Sequence, residues 1–447
     1  MERTHVGASG TEWDLSLVER VLIAGRALWF YAGKLLWPWP LVFFYPRWTI
    51  DPHVAWQYLY PAAALIVLAA LWWKRARLGR GPLAAVLIFA GVLLPALGFF
   101  NVYPFRFSFV ADHFQYHASI ALISLAAAAA TLALAKAPHN ARRLAPWAVA
   151  IVLLPLAGVA RQRAGVYRDL TTLFADTIAQ NPAAWAAHHN LGIVLYTQGR
   201  NDEAIEQFRR AIAINPGDAR LRNSLGGALF VRGALPEAAA ELSRALEGNL
   251  NDHDRAEAHV HLANVLVSQG HFELGLGHYR QGIALRPDYF DGLYNYAVAL
   301  RMHGQPEAAA EQVRAALALQ PQAAPAYHEL GAAYLAQGKI AEAIGQLQRA
   351  VRLQPMNSRF HDDLGLALLR SGDARAAEKT LRRGLVLNPL SANAHTLLGE
   401  ALAAQGDASG ASEQFQSALQ IDPRHAAAAA NLEQLQPAGR RRVSPDQ

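Results

Sequence analysis

Apolar side chains dominate four runs in the first part of the chain, and charged residues are largely confined to the loops between them. The runs cover residues 58–73, 82–100, 118–135 and 144–160. A helix needs roughly 20 apolar residues to cross a bilayer, so the pattern predicts four membrane-spanning helices. Lysine and arginine collect in the loops 74–80 and 136–143. The positive-inside rule puts both loops in the cytoplasm, and puts residues 101–117 and everything after 160 on the outer side.

A different pattern precedes these runs, between residues 15 and 40. Glu19, Arg20, Arg26 and Lys34 fall on about one third of a helix circumference. With the tryptophans nearby, this predicts an amphipathic helix that lies on the bilayer surface. A second hypothesis is that Arg26 and Lys34 bind a lipid phosphate, because such cations are its usual partners. The stretch WPWPLVFFYPRW then predicts an interfacial or re-entrant loop, since proline breaks helices.

The second half of the chain repeats itself. Prolines stand at 182, 216, 287, 321, 355, 389 and 423, most of them 34 residues apart, and GNLNDHD accounts for the one longer interval. This period, with Leu191, Gly192, Gly199 and Ala204 at recurring positions, resembles tetratricopeptide repeats, which are stacked helix-turn-helix units. Small residues there let two helices approach closely. The sequence predicts seven repeats, starting near residues 185, 219, 256, 290, 324, 358 and 392.

The predicted fold class is therefore all-α, a bundle of about four transmembrane helices plus an interfacial helix, followed by a right-handed superhelical solenoid. The predicted domains are an interfacial segment and Pro-Trp loop (1–57), transmembrane helices (58–160), a linking or capping helix (161–184), seven repeats (185–423), and a capping helix with a disordered tail (424–447). AAAAANLEQL is the predicted cap.

Tetratricopeptide arrays bind peptides along the surface that the first helix of each repeat lines. Polar side chains recur on this face in the sequence, mostly at its fifth and sixth positions. The predicted partner-binding residues are His189, Asn190, Asn223, His261, Asn264, Tyr294, Asn295, His328 and Asp362. The array also resembles the repeat arm of O-GlcNAc transferases, where an asparagine ladder holds a peptide backbone. Only Asn190 and Asn295 match that ladder, which favours mixed polar recognition; the alternative is that these groups are simply solvated.

Composition narrows the function classes. The formal net charge is +6, and the basic excess lies entirely in the apolar half. That distribution indicates membrane flanks and not nucleic-acid binding. The chain has no cysteine, so it forms no disulfide and no thiolate site.

Catalytic or metal chemistry has one candidate stretch, RFSFVADHFQYHAS. It places His113 and His117 four residues apart beside Asp112, a spacing that suits a helical metal pair. The sequence offers no third ligand, so we predict a hydrogen-bonded cluster with no metal, no cofactor and no catalytic residue.

The segments ALWFYAGKLLWPWPLVFFYPRW and FSFVADHFQYHAS, followed by spans and repeats, resemble the carboxyl-terminal part of GT-C-type membrane glycosyltransferases. These include the transmembrane-and-tetratricopeptide O-mannosyltransferases and their bacterial relatives. The resemblance implies a polyprenyl-phosphate sugar donor and adds Arg106 and His113 to the lipid-phosphate candidates Arg26 and Lys34. His113 and Phe114 replace an Arg-Tyr pair of that family, so the role of its arginine does not carry over.

The early acidic loop of such enzymes has no counterpart in this sequence. The leading prediction is therefore an integral protein of the bacterial inner membrane, whose repeats lie on the outer side and bind a protein or peptide. Membrane lipid is the second predicted partner. The alternatives are half of a protein O-glycosyltransferase that needs another chain, and an assembly scaffold for envelope polysaccharide or protein export.

Overall fold

The computed structural model describes residues 15–100, 105 and 107–435, and every regular element in these residues is helical. The chain divides into two compact units, residues 1–232 and 233–447. The predicted disordered tail and Arg106 lie outside the described residues.

Among the described residues, the first unit opens with six helices and three short 3₁₀ turns. The helices are α1 (Leu17–Leu36), α2 (Leu59–Trp73), α3 (Arg75–Leu78), α4 (Gly81–Leu93), α5 (Tyr116–Lys136) and α6 (His139–Val166). The 3₁₀ turns are Ala55–Tyr58, Leu94–Ala96 and Asp112–Gln115. Ser16 and Glu19 form a capping box that starts α1, each side chain bonding to the backbone of the other residue.

In the part of the chain that the structure describes, three helical segments are long and apolar enough to cross a membrane: Ala55–Trp73, Asp112–Lys136 and His139–Val166. The sequence predicts four. The missing one is the run that contains α4, because α4 and the 3₁₀ turn after it form an apolar segment, Gly81–Ala96, that is shorter than the other three. Pro95 has no N–H to donate, and Gly98 turns the chain with a φ of 94°. The run therefore reaches about 24 Å, less than the roughly 30 Å of a bilayer core.

Helix α1 is more deeply packed than a helix on a bilayer surface. Ile23, Ala27 and Tyr31 are fully buried, and the Tyr31 hydroxyl accepts a hydrogen bond from the backbone N–H of Ala111 at 3.1 Å. Gly25 lies so close to Pro61 at the start of α2 that a Cβ would meet the ring at 2.6 Å. A face that the sequence assigns to lipid is thus covered in large part by protein.

Four further helices complete the first unit: α7 (Leu170–Gln180), α8 (Trp185–Thr197), α9 (Asn201–Ile214) and α10 (Ala219–Val231). The Pro-Trp loop joins them to the apolar helices. Asn181 donates from Nδ2 to the Phe44 carbonyl at 3.1 Å, and Phe107 lies 5.5 Å from the Trp185 ring. Arg163 near the end of α6 donates to Asp176 of α7 at 2.9 Å. The apolar helices and the first repeat therefore belong to one packed body.

The second unit consists of α11 (Leu235–Glu247), five helix pairs and a last helix. The pairs are α12 (Asp252–Ser268) with α13 (Phe272–Leu285), α14 (Phe290–Met302) with α15 (Pro306–Leu319), α16 (Ala324–Ala336) with α17 (Ile340–Leu353), α18 (Ser358–Arg370) with α19 (Ala374–Leu387), and α20 (Ala392–Ala404) with α21 (Ala408–Ile421). Helix α22 (Ala426–Leu435) follows. Each first helix also contacts the first helix of the next pair.

Glycines shape these pairs in two ways. One glycine in every turn between paired helices has a positive φ, for example 76° at Gly338, which suits glycine because it has no Cβ. A second glycine, inside the first helix, makes room for a large side chain of the second. A Cβ on Gly365 would lie 2.5 Å from Leu381, and one on Gly399 would lie 2.5 Å from Phe415. Close approach at these glycines explains the repeated small residues of the sequence.

Candidate partner-binding surface

The predicted partner-binding residues all lie on first helices of repeats, namely α8, α10, α12, α14, α16 and α18. We call this set of positions the first-helix surface and describe it separately for each unit. Most of its side chains are buried or half-buried. Their availability to a partner therefore depends on which of them already bond within the protein.

In the first unit, the first-helix surface consists of residues on α8 and α10. His189 Nε2 and Ser224 Oγ form a hydrogen bond of 2.9 Å, and Asn223 is buried. Asn190 is half-buried, and its side-chain amide bonds to none of the residues that the structure describes. Asn190 is therefore the available polar group among the predicted residues of this unit.

In the second unit, an ion-pair network crosses the first-helix surface. The Arg301 guanidinium on α14 holds the buried Glu329 carboxylate on α16 with two hydrogen bonds, Nε to Oε1 at 2.5 Å and Nη2 to Oε2 at 3.2 Å. His328 pairs with Asp363 on α18, and Arg359 approaches the same carboxylate at 3.9 Å. The His328 ring stacks on Phe360 at 4.8 Å. These charged side chains therefore already bond to one another, across three consecutive repeats.

Asp362 differs from its charged neighbours. It is buried, its Oδ1 has no hydrogen-bond partner in the described part of the chain, and its Oδ2 accepts a long bond from Ser391 at 3.4 Å. Burial, with Asp363 beside it, raises the pKa of Asp362 to about 6. The carboxyl group is therefore poorly stabilised in its ionised form.

The remaining predicted residues lie on α12 and α14. The Tyr279 hydroxyl donates to Asn264 Oδ1, so this amide already has a partner within its own repeat. Burial lowers the pKa of His261. The Tyr294 ring stacks on Phe290 at 6.2 Å. Asn295, half-buried beside it, has a side-chain amide that no described residue bonds to. The structure thus leaves Asn295 available next to an aromatic ring.

Other histidines of the repeats have structural partners. His188, His361 and His395 each direct Nε2 at the carbonyl of the proline six residues earlier, at 3.0–3.2 Å. His259 and His278, on the two helices of one pair, bring their Nδ1 atoms to 2.9 Å. Burial and the neighbouring His278 lower the pKa of His259 to about 4. The sequence gives no sign of this contact, because the repeat period does not relate a position on α12 to one on α13.

Residues of the types that bind metals come together at one place in the described residues, at the start of α12: His253, which is exposed, and the half-buried Asp254 and Glu257. His113 and His117 do not form such a group with Asp112. Both are exposed, and Asp112 instead accepts a hydrogen bond from the Tyr45 hydroxyl at 2.8 Å.

The predicted lipid-phosphate residues have separate surroundings. The Arg26 guanidinium lies 4.4 Å above the Trp48 ring. Lys34 donates to the Pro40 carbonyl and faces the Tyr45 ring at 5.2 Å. His113 contacts Phe114 edge-on at 4.6 Å. Arg26 and Lys34 thus contact different aromatic rings, and Arg106 is outside the described residues.

Comparison with known families and structures identifies the repeat part. A family model described as a tetratricopeptide repeat matches residues 157–219, 190–253, 261–324 and 363–426, which together cover slightly more than half of the chain. A second, described as a TPR repeat, matches residues 333–372. The residues before 157, and with them most of the glycosyltransferase resemblance, lie outside these matches. No curated protein sequence matches the chain.

Solved structures similar to this chain include the APC/C hetero-tetramer Cut9-Hcn1, with 17% identity, a TM-score of 0.48, and coverage of 59% of this chain and 52% of that one. A tetratricopeptide repeat protein from Parabacteroides merdae has 16% identity and a TM-score of 0.44, covering 56% of this chain and 98% of its own. YrrB, a TPR protein with an unusual peptide-binding site, has 22% identity and a TM-score of 0.37, covering 44% and 99%.

Proposed function

Because this chain belongs to the tetratricopeptide repeat family, we propose that its repeats bind an extended segment of a partner protein on the first-helix surface. The observation that carries the proposal is the free amide of Asn295 beside the Tyr294 ring. An asparagine amide offers both a donor and an acceptor, which matches the N–H and C=O of a peptide group. Asn295 is thus suited to hold the main chain of a partner.

The ion pairs of the second unit support recognition of a main chain over recognition of a strongly charged segment. Arg301 with Glu329 and His328 with Asp363 already bond to each other. A charged partner would have to break a partly buried pair, which leaves an uncompensated charge behind. An uncharged backbone can instead add its hydrogen bonds to Asn295 without disturbing the network.

The test starts from a random peptide library selected on the purified full chain in detergent. Asn295→Ala should weaken the tightest selected peptide about 2- to 10-fold, the effect of one net hydrogen bond. N-methylation of the peptide amide that bonds Asn295 should cost a similar factor and should add nothing in the Asn295→Ala variant. Asn357→Ala removes an equally unbonded amide from a loop between repeats and serves as the matched control.

Two results would overturn this proposal. One is a peptide whose affinity is the same for the unmodified chain and for Asn295→Ala. The other is equal loss in Asn295→Ala and Asn357→Ala, which would show that the amide position on α14 has no special role.

We further propose that α2, α5 and α6, with the shorter α4 as a fourth crossing, anchor the protein in a membrane and leave the repeats on the outer side. Large apolar side chains project from these helices without protein cover. Ile151 and Leu154 on α6 are exposed by 72% and 71%, and Ile123 on α5 by 58%. A surface so apolar is unfavourable in water and suits lipid. Transfer of sugar by this chain together with a second one stays a prediction of the sequence resemblance.

A further inference from the structure

A cavity of about 570 Å³ opens in the first unit between α1, the turn Asp112–Gln115, α5 and α6. Its wall is apolar in one part and polar in another. Ile123, Leu156 and Ala160 make it apolar along α5 and α6, whereas Lys34, Asp112 and Arg163 are among its polar lining. Since α5 and α6 are two of the helices that could cross a membrane, the cavity combines a polar region with an apolar one at the membrane part of the protein.

Arg163 is the unusual group in this wall. Its side chain is only 8% exposed, and Nη1 donates to Asp176 at 2.9 Å. The Tyr167 phenol also interacts with the guanidinium, whereas Nε and Nη2 are buried and have no partner in the described residues. A buried donor without a partner destabilises the fold, and more so when it is charged. Two donor nitrogens of a forked cation are therefore without a partner in the described residues, in the geometry that suits a phosphate.

The cavity also has an acceptor without a partner. Gln115 is buried at the same wall, and its Oε1 bonds to no described residue. Asp112 lies nearby in the wall, with one oxygen already accepting from Tyr45. A bare anion would satisfy Arg163 but leave Gln115 unpaired and face the Asp112 carboxylate. The ligand must therefore present an anionic acceptor and a separate hydrogen-bond donor.

The charges around the cavity also favour a ligand that carries both a negative and a positive group. Lys34 and Arg163 are the cations, and Asp112 and Asp176 are the anions, so the formal charges of these four residues cancel. A neutral surrounding favours a ligand whose own charges cancel, since an extra net charge at a partly buried site is costly. A zwitterion that carries a phosphate and an ammonium meets both conditions.

We propose that this cavity binds a phospholipid with a phosphoethanolamine head group. The phosphate oxygens accept from Nε and Nη2 of Arg163, and the ammonium donates to Gln115 Oε1 and the Asp112 carboxylate. The acyl chains lie along Ile123 and Leu156. A choline head group has no N–H to donate, and a glycerol head group lacks the positive charge, so both fit less well. The lipid would reach the site by the membrane association proposed above.

Native mass spectrometry of the full chain in detergent tests this inference without a bilayer, so failure of membrane insertion would not decide it. With matched acyl chains, phosphatidylethanolamine should bind at least tenfold tighter than phosphatidylcholine or phosphatidylglycerol. Soluble phosphoethanolamine should bind far more weakly than the lipid, because it lacks the apolar chains. Equal affinity for the three lipids, or equally tight binding of the soluble head group, would overturn the proposal.

Variants locate the site. Arg163→Gln should abolish the tight binding, and Arg161→Gln, an exposed cation on the same helix, should leave it unchanged. Since Arg163→Gln also breaks the bond to Asp176, Gln115→Leu supplies a second measurement. It should reduce the preference for ethanolamine over choline several-fold while leaving the affinity for phosphatidylcholine unaltered. A preference that survives Gln115→Leu, or losses that are equal for Arg161→Gln and Arg163→Gln, would contradict the assignment.

Discussion

At the residue scale, Asp362 gives the clearest link between structure and pH. Its pKa is raised to about 6 in the folded chain, against an ordinary value near 4. Between these two pH values the folded state binds more protons than the unfolded state, so the free energy of unfolding falls as pH rises. The destabilising contribution of Asp362 is complete above pH 6 and absent below about pH 4.

Asp362→Asn should therefore stabilise the protein at pH 7.5 by about 1–2 kcal/mol and change it little at pH 4. The reason is that the amide keeps the shape of the side chain but carries no charge to bury. Thermal unfolding of the full chain, followed by circular dichroism at both pH values, measures the effect.

Asp288→Asn is the control, because that carboxylate is 78% exposed and its nearest cation is 3.8 Å away. It should change the unfolding midpoint little at either pH. An equal gain for Asp362→Asn at pH 4 and at pH 7.5 would mean that the charge of Asp362 is not the source of the effect.

The sequence places polar residues on the first-helix surface but cannot say which are engaged. His189 bonds to Ser224 and His328 bonds to Asp363, and in each pair the partner lies 35 residues later in the sequence. Arg301 bonds to Glu329, which lies 28 residues later. Such pairs depend on side-chain rotamers and on how neighbouring repeats stack, which periodicity does not contain. Only the structure shows that Asn264 is bonded while the amides of Asn190 and Asn295 have no partner among the described residues.

At the element scale, periodicity predicts the repeat helices well because one set of packing positions recurs. The first helices begin at 185, 219, 290, 324, 358 and 392, as the spacing predicts. The third repeat differs: α12 begins at Asp252 and not near 256, since the Asn251 side chain accepts from the Asp254 N–H and starts the helix early. Such a cap depends on a local side-chain bond within the inserted residues, whereas the period describes only the common packing.

The helix pairs depend on their internal glycines, and Gly365 is a test position. A Cβ there would lie 2.5 Å from the fully buried Leu381. Gly365→Ala should lower the free energy of unfolding by about 1–2 kcal/mol, because overpacking outweighs the roughly 1 kcal/mol that alanine adds to a helix. Denaturant unfolding of the full chain measures the change.

Gly345→Ala on α17 is the matched substitution, since nothing lies within 4 Å of a Cβ there. It should raise stability by roughly 0.5–1 kcal/mol through helix propensity alone. Stabilisation by both substitutions would show that α18 and α19 are not held at the close distance described above.

At the scale of the whole molecule, the short helix α4 decides on which side the repeats lie in the membrane arrangement that we propose. From the loop 74–80 to the repeats the chain passes α4, α5 and α6. Three crossings put that loop and the repeats on opposite sides, whereas two crossings, without α4, put them on the same side. The basic loops 74–80 and 136–143 both favour the cytoplasm, which requires α4 to cross despite its length.

Alkaline phosphatase, which is active only outside the cytoplasm, measures this arrangement in a bacterial host. A fusion after Gln447 should be active and a fusion within the loop 74–80 inactive, because we expect α4 to cross. A fluorescent protein that folds only in the cytoplasm, fused at the same two sites, should give the opposite pattern. Matching signals from both sites would contradict three crossings and place α4 beside the membrane core.

The glycine in each turn between paired helices has a consequence for how this chain can change in length. Gly304, Gly338 and Gly372 stand 34 residues apart with nearly the same φ, and the helices on either side of them begin at equivalent positions of each repeat. Removing residues 324–357 would join α15 to α18 across an equivalent boundary. Removing half as many residues would instead join α15 to α17, which are both second helices of their pairs. The length of this part of the protein can therefore change without loss of packing only by whole repeats of 34 residues.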